Sequence, residues 1–304
     1  LRHTYATRAI EGGMPPEILK QLLGHESIKT TMDKYVHVTD DSLRQAVAQF
    51  GKGDKYFGVC TLMSTMPGLP MFGHGQLEGY EEKYGMEYTK AYKNETPDEQ
   101  LMERHRSDIF PLLKKRYLFA EVENFLFYDV WNNNVVNENI FAYSNGVGNE
   151  RALVFYNNKY EQACGWILHS CEYAVKTGSD ENDITMYRKN IAEGLNLTRG
   201  DKHYCVFREH KSNLWFVRKT DDLFEHGMYV SLNGFEAQIY LDIRQVEDNS
   251  ENKYAKLCQM LNGKGVPNLE EAYQEYTYRE LYEKLRAFAN PEFFKKIHYL
   301  FKPV

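Results

Sequence analysis

Apolar residues fall at helical spacing through the first fifty positions and give way to short alternating runs beyond about residue 120. Gly12 and Gly13 stop a first helix over about Arg2 to Ile10, and Gly24 stops a second from Pro16 to Leu23. Ser27 caps a third helix carrying Thr30, Thr31, Met32 and Tyr35, and Asp40 or Asp41 caps a fourth through Ser42 to Phe50. Tyr56 to Met66 reads as a buried helix, and residues 67–76 as a turn, a short strand and a glycine-containing loop. Thr96-Pro97-Asp98-Glu99 then starts a further helix, with Pro97 at its first position, Glu99 completing a capping box, and a break at Pro111.

From there the period changes to two. Phe125 to Val130, Ile140 to Ser144 and Ala152 to Asn157 are strand-like runs divided by Asn- and Gly-rich turns, which predicts an antiparallel meander. Further strands are expected at His203 to Phe207, Leu214 to Arg218, Met228 to Leu232 and Phe235 to Val246. The last of these presents Phe235, Ala237, Ile239, Leu241 and Ile243 on one face. Helices are expected over Ile184 to Leu195, Lys253 to Leu261 and Leu269 to Ala289, with Tyr273, Tyr276, Leu281 and Leu285 as a core-packing stripe.

Composition adds bounds. The 304 residues are 42% hydrophobic and 14% aromatic, enough for a sizeable core and unlike disordered sequence. The first residue is Leu, with no signal-peptide pattern after it, so the sequence is expected to begin inside a domain. Polar and proline breaks between Tyr56 and Gly73 argue against a membrane span there. Cys60, Cys164, Cys171, Cys205 and Cys258 lack metal-ligand spacing and read as reduced thiols of a cytoplasmic protein. Residues 1–50 hold six basic and six acidic residues, which leaves 31 basic against 37 acidic of the chain's 37 and 43. Neither part is a basic nucleic-acid footprint by composition.

Arg2, His25 and Tyr35 form a set that phosphoryl transfer to a tyrosine can use. The guanidinium can grip two non-bridging oxygens, the imidazole can hydrogen-bond the phosphate and the phenol can attack it. Leu1-Arg2-His3-Thr4-Tyr5-Ala6-Thr7, Leu22-Leu23-Gly24-His25, Thr30-Thr31 and Tyr35-Val36-His37-Val38 occur in that order. This resembles the C-terminal end of tyrosine recombinases of the phage integrase family. The resemblance implies that Arg2 holds the scissile phosphate, that His25 assists, and that Tyr35 links covalently to a DNA 3′ phosphate. His3 inherits no role, because the family's first active-site His lies before that Arg. The family's other Arg and its Lys have no counterpart in these residues, and a constellation that acts as a unit loses nearly all activity when several members are missing.

No Gly/Ser-rich linker separates residues 1–50 from the aromatic, turn-rich sequence after Lys52, which suggests an abrupt join. The block Pro67-Gly68-Leu69-Pro70-Met71-Phe72-Gly73-His74-Gly75-Gln76 resembles the end of the eighth barrel strand of α-amylase-type glycoside hydrolases, family thirteen. Glu81, Lys83-Tyr84-Gly85-Met86-Glu87-Tyr88, Phe141-Ala142-Tyr143-Ser144-Asn145 and Ala152-Leu153-Val154 extend the likeness into the β-domain that follows. The family's paired catalytic carboxylates, and its third acid, fall on strands before this block. Glu78, Glu81, Glu82 and Glu87 match no catalytic motif and read as a solvated loop. The resemblance implies that His74 and Gln76 are the vestige of a sugar cleft at the C-terminal strand ends.

These readings combine into an α+β fold. A short helical recombinase tail over 1–50 is followed by a truncated (β/α) barrel end over 51–116 and an antiparallel β-rich domain with added helices over 117–304. The function expected is that of a chimeric fragment, inactive alone, with DNA as partner of the recombinase part and α-glucan of the amylase-like part. Neither a cofactor, a metal nor a membrane is implied, and the oligomeric state is left open.

Overall fold

The structure is a computed structural model and describes residues 52–82, 90, 93–176 and 184–300. The chain divides into two compact units, Leu1–Tyr56 and Phe57–Val304. The four helices expected over the first fifty residues lie outside the described residues, as do Arg2, His25, Tyr35 and the 83–88 block.

The described chain opens with α1 (Asp54–Thr65), α2 (Glu99–Arg104), a π-helical turn over His105–Ile109 and α3 (Phe110–Lys114). Strands β1 (Leu126–Tyr128), β2 (Trp131–Asn132), β3 (Val135–Val136), β4 (Ile140–Val147), β5 (Glu150–Asn157), β6 (Ala163–Ile167), β7 (Tyr173–Lys176) and β8 (Ile184–Tyr187) follow. Next come α4 (Ile191–Gly194), β9 (His203–Glu209), β10 (Trp215–Lys219), α5 (Thr220–Glu225), β11 (Met228–Leu232) and β12 (Ala237–Glu247). Helices α6 (Lys253–Leu261), α7 (Leu269–Thr277), α8 (Arg279–Phe288) and α9 (Pro291–Leu300) close it. The class is α+β with antiparallel sheets.

One sheet runs β1-β4-β5-β12-β9-β10, a second β11-β6-β2-β3, and β7 pairs with β8. Burial of apolar area supplies most of the stabilisation, and it occurs on both faces of the six-stranded sheet. On one face Leu153, Phe155, Cys205, Phe207, Tyr240 and Ile243 pack with Ile167, Met228, Val230 and Leu232 of the four-stranded sheet, as in a β-sandwich. On the other, Leu112, Leu118 and Phe119, joined by Leu62 and Met66, cover Tyr143, Ala152, Val154, Ile239 and Leu241. Farther along that face Leu257 and Leu261 of α6 cover Tyr204, Val206 and Val217.

Close approach explains one helical glycine. A Cβ on Gly58 would lie 2.1 Å from the Tyr156 ring, so α1 can sit this near β5 only without a side chain there. The Thr65 and Tyr143 hydroxyls, 2.5 Å apart and buried, fix the end of α1 to β4.

The stripe expected along the last strand of the large sheet is interrupted. Asp242 adopts φ +54°, and the pairing of β12 with both neighbours slips at this point, between Tyr240 and Ile243 against β5 and between Leu241 and Arg244 against β9. An extra residue reverses the alternation of side chains. Ile239 and Leu241 therefore face the helices, as expected together, whereas Ile243 turns to the sandwich side with Tyr240. Lys115 Nζ lies 2.6 Å from Asp242 Oδ1, and Arg208 donates through Nε and Nη2 to Oδ2 at 2.8 and 2.6 Å. Burial by itself would raise the Asp242 carboxyl, but the hydrogen bonds and charges of Lys115 and Arg208 outweigh it and hold the group below its ordinary value.

Other expectations are corrected. Residues 67–76 form bends and turns with no strand, and no strand occurs among the described residues 52–116. The helix expected over Ile184 to Leu195 is instead β8, then α4. Ile184 and Thr185 pair with β7, and Asn190 opens a new helix with a capping box in which its side chain accepts from Ala192 N and Glu193 Oε2 accepts from Asn190 N. Asp98, not Thr96, caps α2, its carboxylate accepting from Leu101 N at 3.0 Å. The helix expected over Leu269 to Ala289 breaks at Tyr278, and its apolar stripe is not core. Only Tyr273 packs against the α6 cluster, while Tyr276, Leu281 and Leu285 are exposed.

Asp242→Ala removes the pins and keeps the strained backbone, so it should lower stability by about 2–3 kcal/mol. Asp242→Gly should cost less, because glycine adopts φ +54° without steric penalty. A lowered carboxyl pKa gives stability that is present above the ordinary value and lost as pH falls through the folded value. Below about pH 4, the midpoint of urea unfolding should therefore drop more steeply for the parent chain than for Asp242→Asn. Matching acid limbs would contradict this.

Candidate functional site

Among the described residues, three places hold groups capable of chemistry or recognition. The first is a cleft of about 670 Å³ between residues 122–126, the start of β5, β7 and α4. Its polar side chains brace its walls. The buried Arg151 guanidinium donates to the carbonyls of Gly148 and Glu150 at 2.8 and 2.9 Å, Asn124 donates to Gly146 O at 3.0 Å, and Glu193 closes the α4 capping box. Lys189 Nζ stands 6.0 Å from the centre of the Tyr173 ring. Beneath Gly194 the Tyr128 and Ser144 hydroxyls are 2.6 Å apart and buried, and burial pushes the Tyr128 phenol up, away from nucleophilic use.

The second is the set of buried titratable groups. His105 is fully buried, 4.9 Å from Phe57 between ring centres, with Nδ1 2.9 Å from Leu101 O. Burial lowers its pKa, which keeps the ring neutral and structural. None of the five cysteines is in a disulfide; Cys60 and Cys205 are buried and the other three half-buried. Burial pushes the Cys205 thiol up to about 12. Burial, with a bond to Asp129, pushes Cys171 up to about 11. Neither is a thiolate nucleophile at neutral pH. Among the described residues no group of three His, Cys, Asp or Glu side chains could hold a metal ion.

The third is on the outer face of the four-stranded sheet. Trp131 stands directly opposite Trp166, and Trp166 directly opposite Tyr229. Direct partners share a face, so the three rings form a row across β2, β6 and β11. They are 41%, 50% and 52% exposed, and the Trp166 and Tyr229 ring centres are 5.3 Å apart. Strands β2, β3, β6 and β11 contain no charged residue. Neutral polar groups border the rings. Gln162 donates to Ser231 Oγ at 3.0 Å, and Asn132 approaches the Cys164 thiol at 3.7 Å.

Of the residues singled out from sequence, Arg2, His25 and Tyr35 lie outside the described residues. His74 is exposed; Gln76 is half-buried and accepts from Gly73 N at 3.0 Å, closing its own turn. Neither lines the cleft. Sequence reasoning missed the aromatic row. Alternation along Met228, Tyr229, Val230, Ser231 and Leu232 already turns Tyr229 outward, but β2 is two residues long and Gly165 interrupts β6, so nothing local revealed the shared register.

Residues 1–42 match the phage integrase family. Over 45 residues the chain is 49% identical to the tyrosine recombinase XerD of Corynebacterium glutamicum, covering 15% of this chain and 14% of that protein. It is 49% identical over 45 residues to XerC of Pelobacter propionicus, covering 15% of each chain. It is 43% identical over 49 residues to transposase B from transposon Tn554 of Staphylococcus aureus, covering 16% of this chain and 8% of that one. The chain thus spans a small fraction of these relatives. Solved structures similar to it include an α-amylase from Geobacillus thermoleovorans complexed with acarbose, at TM-score 0.37 and 13% identity, covering 63% of this chain and 33% of that one. AmyP in complex with maltose aligns at TM-score 0.35 and 10% identity, covering 62% and 34%.

A Cβ on Gly194 would sit 2.1 Å from the Tyr128 hydroxyl. Gly194→Ala should therefore lower stability by about 1–3 kcal/mol through overpacking of the cleft floor. An unchanged thermal midpoint would show that α4 can lift away freely.

Proposed function

We propose that the chain carries the nucleophilic end of a tyrosine recombinase joined to a β-rich domain, and that these 304 residues alone do not cleave or rejoin DNA. The observation that carries this reading is the order and spacing of the Arg2, His25 and Tyr35 boxes inside the segment that matches the integrase family. In the reaction this set would serve, Arg2 and His25 hold the non-bridging phosphate oxygens and the Tyr35 oxygen bonds to phosphorus. The bond from phosphorus to the 5′ oxygen breaks, leaving a 3′-phosphotyrosine and a free 5′ hydroxyl. Within these residues the family's remaining Arg, Lys and His have no counterpart, so the transition-state charge lacks most of its donors. DNA is the partner of this part. Five cysteines outside any disulfide suit a reducing, cytoplasmic setting.

The join near residue 50 makes the chain a chimera in this reading, and sequencing the native locus across codons 45–55 tests that directly. A second reading, α-glucan binding by the β-rich domain, is favoured by the exposed aromatic row on its uncharged face.

A nicked suicide DNA substrate should trap no covalent adduct with the 304-residue chain, read by denaturing gel. An adduct that vanishes in Tyr35→Phe would overturn the inactivity while upholding the assigned nucleophile.

A further inference from the structure

The Trp131, Trp166 and Tyr229 row departs from ordinary surface chemistry. Isolated exposed apolar side chains need no explanation, but three large rings in register on adjacent strands make one exposed apolar row, in which the Trp166 and Tyr229 planes are tilted by 55° to each other. Adjacent strands lie about 4.8 Å apart, so the row spans roughly 10 Å from first ring to last. The inward residues of the same strands, Ala163, Ile167, Met228, Val230 and Leu232, belong to the sandwich core, which holds the platform rigid.

Charge decides what can occupy it. A single-stranded nucleic acid also stacks on aromatic rows, but it needs Lys or Arg along its phosphates. The four strands supply none, in a chain where 26% of residues are charged. A charged peptide or an acidic membrane surface finds no counter-charge on these four strands either. The border instead offers amide, hydroxyl and thiol groups of Gln162, Ser231, Asn132 and Cys164, which serve as neutral donors and acceptors. A neutral ligand with flat apolar faces and a rim of hydroxyls matches both features.

We infer that Trp131, Trp166 and Tyr229 form a binding platform for a neutral glucan chain, with sugar rings lying on the aromatic rings and their hydroxyls meeting the polar border. This rests on the glucan-binding reading of the β-rich domain and gives that reading a site, apart from His74, Gln76 and the cleft by α4.

The test is calorimetric titration of the full chain with maltoheptaose and, separately, cellohexaose, repeated on Trp166→Ala and Trp131→Ala. Trp166 is half exposed, so its variant should keep the parent's thermal midpoint, which is measured alongside, as is the elution volume on size exclusion. Maltoheptaose should bind, and each variant should weaken it by about tenfold or more. Quenching of tryptophan fluorescence should accompany binding in the parent and shrink in each variant. Maltoheptaose binding that Trp166→Ala leaves unchanged would overturn the platform while the glucan reading stands. Binding of cellohexaose alone, lost in the variant, would keep the platform and overturn the α-glucan reading. Binding of neither sugar overturns both, and a parent dimer that Trp166→Ala turns into monomer would make this face a self-association surface instead.

Discussion

Asp242 takes a left-handed backbone conformation in the middle of the longest strand, and Lys115 and Arg208 close on its carboxylate from two directions. A non-glycine residue held there costs about 1–3 kcal/mol, and a doubly paired, half-buried carboxylate offsets that amount. The position matters more than the energy. Arg208 belongs to the neighbouring strand β9 and Lys115 follows α3, so one carboxylate ties the slip in register to both the sheet and the helices above it. Without the extra residue, Ile243 would follow Ile239 and Leu241 toward the helices and leave a gap in the sandwich core.

From this constraint the layers follow. The central strand feeds Ile239 and Leu241 to the helical face and Tyr240 and Ile243 to the sandwich face, so a single sheet serves as the floor of two cores. The smaller sheet is buried on its inner side only. Its outer side is thereby available, and there the sequence has placed rings and neutral polar groups in place of the charged residues that usually keep a solvent-facing sheet soluble.

Much of this architecture was legible where one physical signal acted alone. Met228–Leu232 and Lys253–Leu261 were read with their observed bounds because clean alternation and clean helical spacing leave one answer. The signal failed where tertiary contacts outweighed local pattern. Ile184 to Leu195 carries an apolar periodicity, but pairing with β7 draws Ile184–Tyr187 into a strand and Asn190 restarts the chain as a helix. Asp242 gave no local warning, since its conformation is set by partners 127 and 34 residues away in sequence. The candidate sites divide in the same way. Arg2, His25 and Tyr35 are readable as linear boxes, whereas the aromatic row exists only through cross-strand register between residues up to 98 positions apart, as Trp131 and Tyr229 are.

If the Asp242 pin couples the helical layer to the sandwich, the two should open together. Native-state hydrogen exchange followed by mass spectrometry reads this directly, comparing amides of α3 with those of β12. Equal opening free energies for the two, shifting in parallel with added denaturant, are the predicted result. Exchange of α3 through its own opening, far easier than that of β12 and insensitive to denaturant, would contradict the account.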